Sequence, residues 1–286
     1  MRSLPTTRTI WLAAAVLLLV GADSTRAGGI TADVGLTPPL DRWIFRTQIR
    51  YMERGDDPTP MNRQMNMYAV PAVLAYGLRP NVTLIGRQIG FYRDMDAPGA
   101  QDISGFGDFA LISKWRALRI NKPKYILGIA PTLGVELPTG DDDFGSDTWD
   151  LLTGLFFTAR SGAWGADLNL QYTLNGVEDR TAADGRPGDV FVSNLALSYQ
   201  FTLNESATMS LWPVFELTYT DTKAGRLDGN GMPNSGGELF TLAPGMRFAR
   251  QSFMLEALIQ FPIDQHLSGS QLELETSALV GMRYLF

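Results

Sequence analysis

Cysteine is absent from all 286 residues, which excludes a disulfide framework, thiolate chemistry and a lipoprotein anchor. Histidine occurs once, so His266 is the one candidate base for a serine nucleophile. Long apolar runs are missing as well. The longest, Ile10 to Val20, is followed by small and polar residues, and a helix needs about 20 apolar residues to cross a bilayer core. A membrane role therefore requires a closed barrel, the other structure that satisfies every backbone amide inside lipid. Basic side chains are outnumbered too. Removing residues 1–27, with Arg2, Arg8, Arg26 and Asp23, leaves 21 basic and 29 acidic side chains and a net charge of −8. An acidic exported chain is a poor partner for nucleic acid.

What is present begins with Arg2 and Arg8 ahead of that apolar run, the form of a cleaved secretory signal peptide over 1–27. Residues 28–41, with Pro38, Pro39 and several glycines, form an expected N-terminal periplasmic or plug segment, and 42–286 an expected barrel. Over 42–286, period-2 alternation bounded by turn residues predicts twelve strands: 42–53, 64–77, 82–92, 106–117, 124–137, 149–160, 163–175, 189–201, 207–220, 238–249, 253–261 and 272–286. Ala166, Leu168, Leu170 and Tyr172 alternate with Asp167, Asn169, Gln171 and Thr173. A soluble sandwich alternates in the same way. The connections separate the two, because they run long and short by turns, as in an all-β, up-and-down antiparallel transmembrane β-barrel of the outer membrane. The long loops are acidic and the short turns carry Arg79, Arg119, Lys122 and Arg250. Trp and Tyr near strand ends suit interfacial belts, although aromatics also favour strands in general.

The last strand adds an address. Gly281, Tyr284 and the terminal Phe286 resemble the C-terminal signal read by the bacterial barrel-assembly machinery, with Val280 where a polar residue is usual. Two features run against regular strands. Arg87 and Gln88 are neighbours, so one faces lipid unless a bulge intervenes, and Pro71, Pro131, Pro213 and Pro244 fall inside strands, where bulges or register changes are expected.

Parity turns Arg46, Arg50, Lys114, Arg116, Glu136, Asp167, Glu216, Arg247, Glu256, Glu273, Glu275 and Arg283 toward the lumen, together with Met65 and Met67. Strand 1 must close on strand 12, which predicts an ion-pair ladder of Arg46 and Arg50 with Glu273 and Glu275. Such pairs are structural where they neutralise one another and selective where they are left over. Inward Gly128, Ala130 and Gly134 leave room beside the methionines. Chemistry is thinly represented. His266 and Ser268 stand in the last loop without an orienting partner, unlike the strand-borne pair of outer-membrane phospholipases. The acidic run Asp141 to Asp147 has Leu152 where a calcium loop needs glutamate. No catalytic, metal or cofactor residue is assigned.

Gly105-Phe-Gly107-Asp108, Lys114-Trp115 and Gly134-Val-Glu136-Leu-Pro138-Thr139-Gly140-Asp141 resemble the MetA-pathway of phenol degradation family of outer-membrane transporters. The resemblance implies a Gram-negative outer-membrane barrel for passive uptake of small hydrophobic or aromatic solutes, in contact with outer-membrane lipid and lipopolysaccharide. The alternatives are a closed structural or surface-interaction barrel with acidic outer loops, and an outer-membrane lipase.

Overall fold

The computed structural model describes residues 28–97, 99–177, 187–227 and 230–286. The expected signal segment and the loop acids Glu178, Asp179, Asp184 and Asp228 fall outside them. Twelve antiparallel strands close on themselves: β1 Trp43–Gly55, β2 Gln64–Arg79, β3 Val82–Asp96, β4 in three pieces (Ile103–Phe106, Phe109–Trp115, Leu118–Lys122), β5 Tyr125–Leu137, β6 Asp150–Ser161, β7 Trp164–Leu174, β8 Val190–Tyr199, β9 Met209–Thr222, β10 Gly237–Arg250, β11 Phe253–Leu267 and β12 Glu273–Leu285. Each pairs with its chain neighbours, and β1 pairs with β12 to complete the ring. The terminal residue takes part, since Phe286 and Trp43 exchange backbone hydrogen bonds of 3.0 and 2.9 Å.

The burial pattern is that of a soluble protein turned inside out. Ile49, Leu133 and Val280 are about 60% exposed on the outer face, whereas Gln48, Asp167, Asn169, Glu216 and Arg247 are fully buried within. A sandwich would place those two sets the other way round. Aromatics gather at both ends of the wall. Trp43–Tyr76 and Trp164–Tyr199–Phe201 cluster toward the short-turn end, and Tyr51–Tyr68–Tyr92 toward the loop end. Two levels of ring contacts favour interfacial girdles over mere strand preference. Short turns and longer connections lie at opposite ends, and the short-turn end faces the periplasm in barrels of this kind.

Some local expectations are corrected. Pairing runs through β2, β9 and β10 without a register shift at Pro71, Pro213 or Pro244. Each proline instead sits where pairing lapses on one side only, as expected of a residue that lacks one donor. Pro131 does lie beside a shift, since Lys114 pairs with Thr132 but Leu118 pairs with Ile129. Nor does β3 bulge at Arg87–Gln88. Arg87 turns inward to Glu136 at 3.2 Å, and Gln88 donates to the Gly107 carbonyl at 2.6 Å, in the gap between the first two pieces of β4. His266 belongs to β11, opposite Glu238, rather than to a loop, because that strand continues through Leu267.

Candidate functional site in the barrel lumen

Residues 28–39 run inside the barrel before the chain emerges at Leu40 and Asp41 to feed β1, and the inward polar side chains converge on them. The Glu216 carboxylate accepts the Ile30 N–H, the Thr31 N–H at 3.0 Å and the Thr31 hydroxyl. Arg247 donates to the carbonyls of Gly28 and Gly29, and Arg283 donates to those of Gly29 and Ile30 at 3.0 and 3.2 Å. Arg46 also donates to the Ile30 carbonyl. Further along, Asn169 exchanges two bonds with the Asp33 backbone, at 2.6 and 2.7 Å, and Lys114 meets the Asp33 carboxylate at 2.8 Å. The Thr158 hydroxyl accepts the Gly35 N–H at 2.9 Å and donates to Asp167 at 2.5 Å, and Asp167 is itself paired with Arg160 at 2.7 Å.

Sterics match the bonding. Ile30 is fully buried among Trp212, Val214, Ala243, Leu258 and Leu279. A Cβ on Gly128 would stand 2.6 Å from the Gly35 carbonyl oxygen, so a bare backbone is required where segment and wall meet. Two cavities flank the segment. Thr31, Arg50, Met52 and Phe91 line one of about 180 Å³, and Asp33, Val34 and Leu36 help to line another of about 450 Å³ toward the short-turn end.

Glu256 is the electrostatic centre of the wall. Its buried carboxylate lies 3.1 Å from Arg283, 3.3 Å from Arg46 and 3.5 Å from Arg247, and it accepts the Gln48 amide at 2.7 Å. The expected ladder with Glu273 and Glu275 does not form. Arg46 stands opposite Arg283 and Arg50 opposite Leu279, whereas Glu273 stands opposite Gly55 at the far end of the seam. Strand stagger, not distance from the chain ends, sets the level of each residue in a closed barrel. Arg50 donates to Gln48 at 2.7 and 3.0 Å, Glu273 accepts from Gln265 at 3.1 Å, and Glu275 packs against Gly55. Glu136 holds Arg87, while Met65 and Met67 share the parity of buried Ala69 and stand opposite Arg54 and Met52. In the C-terminal stretch, Gly281 makes room for Gln48, Tyr284 stacks on Phe286, and Phe286 closes on Trp43. Gln48, Asn169 and Asn194 on the wall and Asp33 in the segment are contacts that alternation alone does not single out.

The two glycine–aspartate motifs meet at the loop end. Asp108 accepts the N–H groups of Thr139, Gly140 and Ser146 and the Ser146 hydroxyl, at 2.6 to 2.9 Å. Asp141 accepts the Phe106 N–H at 2.7 Å. This fastens the β5–β6 loop to the break in β4 and stacks Phe144 on Phe91, with ring centroids 5.2 Å apart. His266 lies exposed with Nδ1 3.5 Å from Asp264, and among the described residues it makes no hydrogen bond to Ser268.

A closed ring of twelve antiparallel strands, apolar outside, polar inside and girdled by aromatics, is an outer-membrane β-barrel, here with a chain segment lodged in its lumen. The chain belongs to the family described as "Putative MetA-pathway of phenol degradation", whose profile matches residues 71–265. Its structure is similar to the COG4313 outer membrane channel from Pseudomonas putida F1, with TM-score 0.69 and 15% identity over 90% of this chain and 100% of that one. It is also similar to the beta domain of the Bordetella autotransporter BrkA, with TM-score 0.50 and 12% identity over 86% of this chain and 100% of that one. At these identities the likeness is one of fold. No curated protein sequence matches the chain.

Proposed function

We propose that the protein is a passive channel for small hydrophobic or aromatic solutes, closed in this state by residues 28–36. The observation that carries the reading is how the segment is held. Side chains from seven strands grip its backbone by hydrogen bonds, with cavities on both sides, so the closure is reversible in principle and the lumen beyond it is not filled. Membership of a family named for phenol degradation supports the solute class, and the fold of a solved outer-membrane channel supports the role. The chemistry is binding and passage, with no catalytic step, and the terminal Gly281–Phe286 stretch serves assembly.

The competing reading is a permanently closed structural barrel that presents its acidic loops to divalent cations and lipopolysaccharide. The exposed Asp142 and Asp143 of the β5–β6 loop favour it. Liposome uptake of phenol and bilayer conductance, measured for the whole chain and for a chain lacking 28–40, separate the two. A channel shows solute uptake that rises when the segment is removed. Absence of uptake and of conductance in both proteins, each correctly folded, would falsify the channel.

A further inference from the structure

We propose that the 450 Å³ cavity between the N-terminal segment and the short-turn end of the wall is a binding site for a carboxylate carried on a compact apolar body. The inference rests on the channel reading and narrows its solute class. One part of the lining is apolar, from Leu36, Ile44, Val73, Ile85, Met254 and Leu285, and such surface recognises an apolar body. Another part is cationic, from Arg46, Lys114, Arg116, Arg119 and Arg283.

Each of these charges can be traced. Arg46 and Arg283 share Glu256, and Lys114 holds Asp33. Arg116 donates to the Pro80 carbonyl at 2.6 Å, and neither it nor Arg119 has a carboxylate partner among the described residues. Five cations thus face two carboxylates, an excess of three. Unpaired cations in a half-closed cavity attract an anion more strongly than they would in open water. Arg116 also offers the planar fork that suits a carboxylate.

A neutral group completes the set. Thr83 lines the same cavity and is fully buried, and its Oγ1 has no hydrogen-bond partner among the described residues. It pairs across β3 and β4 with Lys114, so hydroxyl and ammonium stand side by side on the inner face. A buried hydroxyl without a partner is costly, and an incoming oxygen anion would supply one. Asp33 shows that the cation set accepts a carboxylate, since its own already docks on Lys114 at 2.8 Å. The volume suits a single ring or a short chain and lies at the small end of ligand pockets.

The test is calorimetric titration of the full-length folded barrel in detergent with benzoate, octanoate and palmitate, against benzyl alcohol and inorganic phosphate. The expected result is saturable binding of the carboxylates at one site, at least about tenfold tighter than benzyl alcohol or phosphate, and weakened by salt. Arg116→Gln should weaken benzoate about tenfold and the isosteric Thr83→Val several-fold, with folding checked by heat-shifted gel mobility. These two comparisons also remove the contribution of partitioning into micelles. The order among the three carboxylates tells a diffusing solute from a membrane-derived fatty acid. Equal binding of benzoate and benzyl alcohol, or benzoate affinity untouched in both variants, overturns the proposal. Neutral phenol uptake without benzoate binding likewise overturns it and leaves the channel reading standing, whereas benzoate binding without any uptake upholds it and removes the channel.

Discussion

Glu216→Ala should release the N-terminal segment without dismantling the barrel. One carboxylate accepts two backbone N–H groups and a hydroxyl from Ile30 and Thr31. Bonds to a charged acceptor contribute about 1.5 to 3 kcal/mol each when taken singly, and adjacent ones add incompletely. Removing the carboxylate also relieves its own burial, so a net loss of about 3 kcal/mol from the docked state is the reasonable figure. At about 1.4 kcal/mol per decade, the ratio of released to docked segment rises by roughly a hundredfold, whatever its starting value. Hydrogen exchange by mass spectrometry over residues 28–36 reads this directly, with the β7 and β11 amides as internal controls. Protection should fall about a hundredfold in the segment and stay unchanged in the wall, with a parallel rise in phenol uptake. Glu216→Gln keeps one acceptor and should fall between. In a chain lacking 28–40, Glu216→Ala should cost close to nothing. Unchanged segment exchange, or loss of protection spread evenly over the wall strands, would refute the reasoning.

Three further expectations follow from the same contacts. Glu256→Ala leaves Arg46, Arg247 and Arg283 facing one another without their counter-ion and should cost about 3 to 5 kcal/mol in urea unfolding from lipid vesicles; an unchanged midpoint sinks the idea. Asp108→Ala frees three N–H groups and a hydroxyl, so protease should cut the 138–148 loop faster while the barrel keeps its heat-shifted mobility. The guanidinium of Arg63, together with the N–H groups of Arg63 and Thr59, holds the Asp57 carboxyl well below the usual carboxylate range. A depressed value means stabilisation that is complete above the unfolded value of about 3.9 and is lost as pH falls below it. The protection factor in the 56–63 loop, corrected for the intrinsic pH dependence of amide exchange, should therefore be flat from pH 8 to about pH 4 and fall under more acid conditions; loosening already near pH 6 would contradict this.

The girdles, the loop rhythm and the closing terminus could be read from the chain because each depends on residues close together in sequence. His266 lies on β11 rather than in the expected loop for a related reason. Alternation weakens beyond Phe261, yet pairing with β10 carries β11 through Leu267. The prolines show the same limit, since a missing donor is visible in sequence, but whether the neighbouring strand shifts or simply leaves a gap depends on that neighbour.

Parity, a period of two along a covalent chain, decided by itself that twelve strands present one polar and one apolar face and that Arg46, Glu216, Arg247 and Glu256 turn inward. It could not decide which of these would meet. The Thr31–Glu216 contact spans 185 residues and Arg283 reaches Gly29 across 254, distances over which only the stagger of the closed barrel sets who faces whom. For that reason the tertiary structure alone moved the arginine partner from Glu273 and Glu275 to Glu256. It also explained the inward Gly128 by the backbone of Gly35 lying against it.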